Sequence, residues 1–366
     1  VLQQTRETSM VQLGNRSDLR TGAVNPPIYL STAFKHDGIG QSTGYDYSRT
    51  KNPTRSLLEE GVAKLESGKQ AFACSSGMAA IQLVLSLFQA GDEIIASEDI
   101  YGGTYRLLEQ YTRAYHFNIC YDPFTNFKET ETNITNKTKA IFIETPTNPL
   151  MQEIDITSIA HLTKKHDLLL IVDNTFLTPY LQRPLELGAD IVIHSATKYI
   201  GGHNDVLAGL VVTDDEPICE QLAIMHNTSG AVLSPFDSWL LIRGLKTLSL
   251  RMEKHETNAQ ELADFLNNHQ AVKEVLYPGK GGMLSFRLHD NKCVDPFLQQ
   301  LQLITFAESL GGVESFITYP ATQTHADIPI NKRTKRGIDD CLLRFSVGIE
   351  HVNDLKHDLQ NALQAF

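Results

Sequence analysis

No stretch of this sequence is apolar for long enough to cross a bilayer. The nearest candidate, residues 78–90, is short and broken by Gln82 and Gln89, so it reads as a buried helix and no membrane is expected as a partner. The first twenty residues are polar and lack the apolar heart of a secretory leader. Positive charge is in deficit: 32 Lys and Arg face 43 Asp and Glu, a net charge of −11 that repels a phosphate-rich polymer and argues against nucleic acid as a partner. Five cysteines, at 74, 120, 219, 293 and 341, contain no Cys-x-x-Cys pair and leave one over in any disulfide scheme, which points to a reducing cytoplasm. His194 and His203 have no ligand-like spacing and no cysteine nearby, so no metal is expected. Neither common nucleotide-binding string occurs: there is no G-x-x-x-x-G-K-S/T, and Gly38, Gly40 and Gly44 do not follow a strand in G-x-G-x-x-G spacing. Internal repeats and low-complexity segments are missing too.

What is present begins with length. At 366 residues the chain exceeds one typical core and suggests two domains behind an N-terminal arm at 1–50. The arm is rich in Gly, Pro and Thr, has no long periodic element, and needs a neighbour to pack on. Over 51–232, apolar strand candidates at 70–74, 93–97, 140–143, 168–172 and 190–194 alternate with helical patterns, the signature of an α/β domain with a mostly parallel sheet wrapped by helices. A long helical stretch from 235 to about 269 opens a smaller C-terminal α/β domain, 233–366.

Three strand ends carry the chemistry. Ser195-Ala196-Thr197-Lys198-Tyr199-Ile200-Gly201-Gly202 follows the apolar run 189–194. A solvated lysine, with a pKa of about 10.4, is a poor nucleophile until burial favours its neutral form, and a strand end supplies that burial. Ser195 and Thr197 add hydroxyl donors, which suits a ligand with both an aldehyde and a phosphate, such as pyridoxal phosphate (PLP). The plainer alternative is a serine-capped helix with lysine on its solvated face. Asp173 weighs against it. The run 168–172 reads as a strand covered on both faces and ends in Asp173-Asn174-Thr175, in the crevice where open α/β sheets bind ligands. There a carboxylate can keep a pyridine nitrogen protonated and make the ring an electron sink; a capping or turn aspartate is the competing reading. The third end, Ser75-Ser76-Gly77-Met78 before a helical run, offers outward N–H groups and a positive dipole end to a phosphate, or is an ordinary serine cap.

Together with Tyr45-Asp46-Tyr47-Ser48-Arg49-Thr50-Lys51-Asn52-Pro53-Thr54 and Glu144-Thr145-Pro146-Thr147-Asn148-Pro149, these motifs occur in the same order as in the Cys/Met-metabolism PLP enzymes, which the chain resembles from about Gly14 to its C-terminus. The resemblance implies the PLP-dependent transferase fold type I. It casts Lys198 as the cofactor-bearing lysine, Asp173 as the partner of the ring nitrogen, and Tyr101 as the residue that stacks on the ring and handles a proton. Ser76, Gly77, Met78, Ser195, Thr197 and Asn148 complete the cofactor's surroundings. Tyr47 and Arg49 are similar to a pair that reaches the phosphate from a partner subunit, which implies a homotetramer of site-sharing dimers. Arg344 is similar to the arginine that clamps the substrate α-carboxylate, and Ser309 and Asn148 match positions lining the same pocket, with a turn serine and an Asn-Pro turn as their plainer readings. Arg106 is read either as meeting a distal carboxylate or as a helix-face charge, and Glu308 either as resembling the cystathionine-forming or cystathionine-cleaving members or as a solvated glutamate.

The implied activity is γ-replacement: an activated homoserine ester reacts with cysteine to give cystathionine, or with sulfide to give homocysteine, in methionine biosynthesis. Gly103 stands where methionine γ-lyases typically have cysteine, which favours synthesis over γ-elimination of cystathionine or methionine. Thr50 follows Arg49, so no second arginine there favours a succinyl ester, and O-acetylhomoserine is the preferred donor. A non-catalytic PLP-binding regulator is the rival of another class; it needs a reading extension, and the arm has neither a helix-turn-helix pattern nor a basic patch.

Overall fold

The computed structural model describes residues 4–364; the first three residues of the expected arm and the last two of the expected small domain lie outside them. The chain folds as two compact units, one built from the chain up to Gln89 with Thr178–Ser249, the other from Ala90–Leu177 and the chain from Leu250 onward. The strands, in chain order, are β1 (Gln70–Cys74), β2 (Glu93–Ser97), β3 (Asn118–Asp122), β4 (Thr138–Glu144), β5 (Leu169–Asp173), β6 (Ile191–Ser195), β7 (Gly209–Thr213), β8 (Val272–Leu276), β9 (Met283–Leu288), β10 (Thr305–Phe306), β11 (Phe316–Thr318) and β12 (Leu342–Ser346). No helix among the described residues is long and apolar enough to cross a membrane.

In the first unit β7 pairs antiparallel with β1 on one side and β6 on the other. The registers place Cys74, Gly209 and Ser195 in line across the three strands. The loops that leave β1 and β6 therefore emerge from one edge, with Gly209 between them. Helix Pro53–Leu65 packs on β1; Pro53 presets its first turn, and the Asn52 side chain accepts the N–H groups of Thr54 at 2.9 Å and Arg55 at 3.4 Å. Helix Gly77–Leu85 follows β1 and is capped by Ser76, whose Oγ accepts the Ala79 N–H at 3.1 Å. It is shorter than the expected 78–90 because Ser86 Oγ bonds back to the Leu83 carbonyl at 2.6 Å and the ladder stops. The expected long helix is two, Pro235–Leu245 and Leu248–Asn267. Between them the Thr247 N–H and hydroxyl both turn to the carbonyl of Gly244, at 3.2 and 3.3 Å.

The second unit holds four parallel strands in the order β5, β4, β2, β3, so that Asp173 and Glu144 are register partners at the C-terminal ends of neighbouring strands. A second sheet, ordered β10-β11-β12-β9-β8, is antiparallel except for β10 with β11. Its core joins Leu262, Leu266, Phe286, Phe297, Phe345 and Leu359, with the Phe286 and Phe297 rings edge-on at 5.8 Å.

Candidate active site

The candidate residues divide between the two units. In the first, β6 ends at Ser195 and the chain turns at once: the Lys198 N–H donates to Ser195 O at 3.1 Å and the Gly202 N–H to Lys198 O at 2.8 Å. Thr197 ties this loop to Ala208, donating to its carbonyl at 3.2 Å and accepting its N–H at 3.0 Å. Lys198 is half-buried, as are Ser195, Ser76 and Met78. Missing side chains let the edge close up. A Cβ at Gly77 would lie 2.8 Å from Ser195 Cβ, one at Gly209 2.1 Å from Ser76 O, and one at Gly244 2.4 Å from Ile200 O. The Ser76 loop, the strand ends and the lysine loop thus touch through positions that admit no side chain. Ser76 and Gly77 open the helix Gly77–Leu85, whose free N–H groups and dipole favour an anion.

Two side chains not singled out from the sequence, one buried and one half-buried, brace this edge. Arg55, 2% exposed, donates to Ser48 O at 2.8 Å and Arg49 O at 3.1 Å, and so pins the segment that carries Tyr47 and Arg49. Glu59, one turn along, pairs with Arg55 Nε at 3.5 Å and accepts the Ala73 N–H at 3.0 Å. Burial pushes the Glu59 carboxyl up to about 7 against the pull of Arg55. On the same margin of the strand His226 donates Nε2–H to the Ala73 carbonyl at 3.0 Å, and burial draws it down to about 4, so it is neutral. Cys74 is 1% exposed with its thiol pushed up to about 12 by burial, an inert core position. Tyr47 is exposed; the Arg49 guanidinium lies 5.7 Å from its ring centre and donates to the carbonyl and, at 3.2 Å, the Oδ1 of Asn227.

In the second unit Asp173 is 9% exposed, and its Oδ1 accepts the N–H and hydroxyl of Thr175 at 3.0 and 2.6 Å. Glu144 beside it is buried, and its Oε2 accepts the N–H of Tyr101 at 2.9 Å. Burial, then the neighbouring Asp173, hold the Glu144 carboxyl well above the usual range. Asp99, pushed up to about 6 by burial, accepts the Leu150 N–H at 3.2 Å. Tyr101 precedes helix Gly102–Tyr115, where a Cβ at Gly102 would meet Thr324 O at 1.9 Å. Its phenol is raised by burial and by Glu308, with Arg344 and Arg106 opposing, which places those charges around it.

Arg344 sits on β12 between Ser285 of β9 and Thr318 of β11 and is 2% exposed. Nη1 donates to Asn148 Oδ1 at 2.9 Å, and Nη2 to Thr318 Oγ1 at 3.2 Å and Ser309 O at 3.4 Å. Asn148 lies between cis peptide bonds at Thr145–Pro146 and Asn148–Pro149, and its carbonyl accepts the Nε2–H of buried His325 at 3.1 Å. Burial, then Arg344, draw His325 down to about 3, leaving it neutral. Arg106 is exposed and its Nε pairs with Asp327 Oδ2 at 2.7 Å; Glu308 is exposed as well.

The structure therefore gathers Arg344, Asn148 and Ser309 around one buried guanidinium, and Tyr101 and Asp173 around Glu144. Glu144, His325, Asp99, Arg55, Glu59 and Gly209 were not singled out from the sequence. Glu144 had a signal: it ends the strand next to that of Asp173, one residue past the expected 140–143.

Residues 7–364 match the family described as Cys/Met metabolism PLP-dependent enzymes. The chain is 64% identical over 357 residues to the cystathionine gamma-synthase/O-acetylhomoserine (thiol)-lyase of Bacillus subtilis (strain 168), covering 98% of this chain and 96% of that protein. It is 62% identical over 361 residues to the cystathionine gamma-synthase of Haemophilus influenzae, covering 98% and 97%. Among solved structures, the cystathionine gamma-lyase of Lactobacillus plantarum complexed with L-serine superposes with a TM-score of 0.97 at 44% identity, over 99% of both chains.

Proposed function

The chain belongs to the Cys/Met-metabolism PLP-dependent enzymes, with their fold type I and pyridoxal 5′-phosphate as cofactor, and from that premise we propose that it joins an activated homoserine ester to cysteine, giving cystathionine, in methionine biosynthesis. Sulfide serves as a second thiol, giving homocysteine. The observation that carries this reading is that the Bacillus and Haemophilus relatives both bear the synthase name across nearly the whole chain.

The residues suit the cofactor. The closed-up edge at Ser76-Gly77, opening a helix N-terminus, favours a phosphate, and Ser195, Thr197 and Lys198 follow on the same edge. Asp173 is assigned to the ring nitrogen, Tyr101 and Asn148 to the ring, and Met78 to the rim of the phosphate loop. When bound, the cofactor supplies an electron sink that acidifies the α- and then the β-hydrogens of the amino acid. Lys198 Nζ would take the α-proton, hand it on to the cofactor, and only then take a β-proton so that the acyloxy group leaves Cγ; after the thiol has added at Cγ it would return one proton to Cβ and one to Cα. Each such transfer is worth about 10² to 10⁴-fold. Arg344, its fork already squared by Asn148 and Thr318, binds the α-carboxylate in the manner of a bidentate pair, with Ser309 beside it.

Glu308 and Arg106 are assigned to the distal side of the substrate. Because Arg106 is engaged by Asp327, it offers no surplus cation to a succinyl carboxylate, which supports O-acetylhomoserine as the donor. Tyr47 and Arg49 are assigned to the phosphate of a neighbouring subunit in a cytoplasmic homotetramer; mixing Arg49→Ala with Lys198→Ala chains should restore activity, and no recovery despite subunit exchange would refute that sharing. Assays with O-acetyl-, O-succinyl- and O-phosphohomoserine, each with cysteine, sulfide or no thiol, test the whole reading. Cystathionine from the acetyl ester is expected. A second reading, γ-elimination, has support from the superposition on a γ-lyase; rapid release of 2-oxo acid and ammonia from cystathionine, with no thiol addition, would establish it instead.

A further inference from the structure

Asp173 shares its buried sheet edge with another carboxyl. Glu144 is its register partner on the adjacent parallel strand, is 6% exposed, and has a third acid, Asp99, nearby. Among the described residues, the groups that face Glu144 include Asp173 on β5, Asp99 after β2, the phenol and N–H of Tyr101, and Arg344 on β12. Arg344 is the single cation among them, and its fork already serves Asn148, Thr318 and the Ser309 carbonyl. Two ionised carboxylates side by side in so dry a place repel, so the pair retains a proton. Asp173 takes two donors from Thr175, which favour its charged form; Oε2 of Glu144 takes the Tyr101 N–H.

We propose that Glu144 is a positioning residue that works as a neutral carboxylic acid: through Oε2 it fixes the backbone of Tyr101, and by holding the shared proton it keeps Asp173 the charged member of the pair. The inference rests on the reading that Tyr101 and Asp173 serve the cofactor, and its first test does not depend on that reading. A carboxyl that holds its proton more tightly when folded stabilises the fold at acid pH, and that stability is lost as pH rises from the ordinary value of 4.5 through the raised one. Compared with the full-length Glu144→Gln variant, the wild-type chain should lose stability between pH 5 and 8, by up to about tenfold in the folding equilibrium constant per pH unit. Infrared difference spectra should show a carboxylic-acid carbonyl band in the wild type that Glu144→Gln lacks. A wild type that gains stability relative to the variant as pH rises, or lacks that band, overturns the proposal and leaves the roles of Tyr101 and Asp173 standing.

The second test loads the cofactor. Glu144→Gln, which keeps an acceptor for Tyr101, should bind PLP within about twofold of the wild type and keep the pH dependence of its visible band. Glu144→Ala should bind about tenfold more weakly. Equal weakening in both variants overturns the neutral-acid role, and no weakening in Glu144→Ala overturns the positioning role together with the assignment of Tyr101 to the cofactor.

Discussion

Replacing Gly209 by alanine should release the cofactor while leaving the fold in place. The added methyl would stand 2.1 Å from the Ser76 carbonyl oxygen, 2.6 Å from its carbon and 2.9 Å from the Ala80 methyl. Ordinary contact begins at 3.4 Å, so the Ser76 backbone must retreat by 3.4 − 2.1 = 1.3 Å. Neither side gives easily: Gly209 is paired to Cys74 and Ser195 in the ladder, and Ser76 is fixed as the helix cap. Overpacking of this size costs about 1–3 kcal/mol of stability. A retreat of more than an ångström also spoils one or two charge-assisted hydrogen bonds to a phosphate, each worth about 1.5–3 kcal/mol, so the Kd for PLP should rise about 10- to 100-fold or more. Titration of the variant with PLP, followed in the visible band, reads this directly. Gly91→Ala is the control: its φ is +94° with nothing within 4 Å, so it should cost about 1–2 kcal/mol of backbone strain and leave cofactor affinity alone. A Gly209→Ala protein that binds PLP as tightly as the wild type would remove the Ser76 loop from the phosphate site.

Arg55→Met strips hydrogen bonds from the Ser48 and Arg49 carbonyls and leaves Glu59 without its cation, for a loss of about 3 kcal/mol in urea unfolding. Because Glu59 is raised to about 7, the stability its proton confers fades as pH climbs through that value; the Arg55→Met penalty should be larger at pH 8 than at pH 5, and equal penalties would contradict the pairing. His226 has the opposite sign: its folded value near 4 lies below the ordinary 6.5, so stability present above pH 6.5 is lost as pH falls. His226→Gln, which can still donate to the Ala73 carbonyl, should flatten the fall in Tm between pH 7 and 4.5, and an unchanged slope would count against a neutral buried imidazole. Arg344→Lys keeps the charge but not the fork that meets Asn148 and Thr318; KM for the ester should rise at least about tenfold with the visible cofactor band intact. An unaltered KM would move the carboxylate site elsewhere.

Strand positions were legible where apolar runs end in a polar motif. β1 and β2 have the expected limits, while β5 and β6 each lie one residue further along. That single residue matters, because it makes Asp173 and Ser195 the last residues of their strands. β3 was not readable: its apolar run is only Ile119-Cys120-Tyr121, half-buried between Asn118 and Asp122 and too short to mark a covered strand. The break at Lys246–Thr247 was hidden because Gly244 sits in a helical pattern, and its reason, contact with the carbonyls of Ile200 and Gly201, is long-range. Motifs announced Lys198, Asp173 and Arg344 one at a time. They could not announce partners such as Asn148 and Arg344, 196 residues apart, or the role of Glu144, which depends on a strand register that periodicity does not fix.

Among the described residues β1 has β7 on one side and, on the other, no named strand but a single bridge from Cys74 to Val232. An open sheet margin of this kind invites a second chain to add itself, the first step towards aggregates. Here the vacant side is filled by local chemistry: Glu59 takes the N–H of Ala73, His226 and the Leu233 N–H take its carbonyl, and the Ser75 N–H goes to Ala231. A nascent or partly unfolded copy finds no donors or acceptors to zip onto at Ala73, so the same side chains that steady the phosphate loop also guard the protein against self-templating.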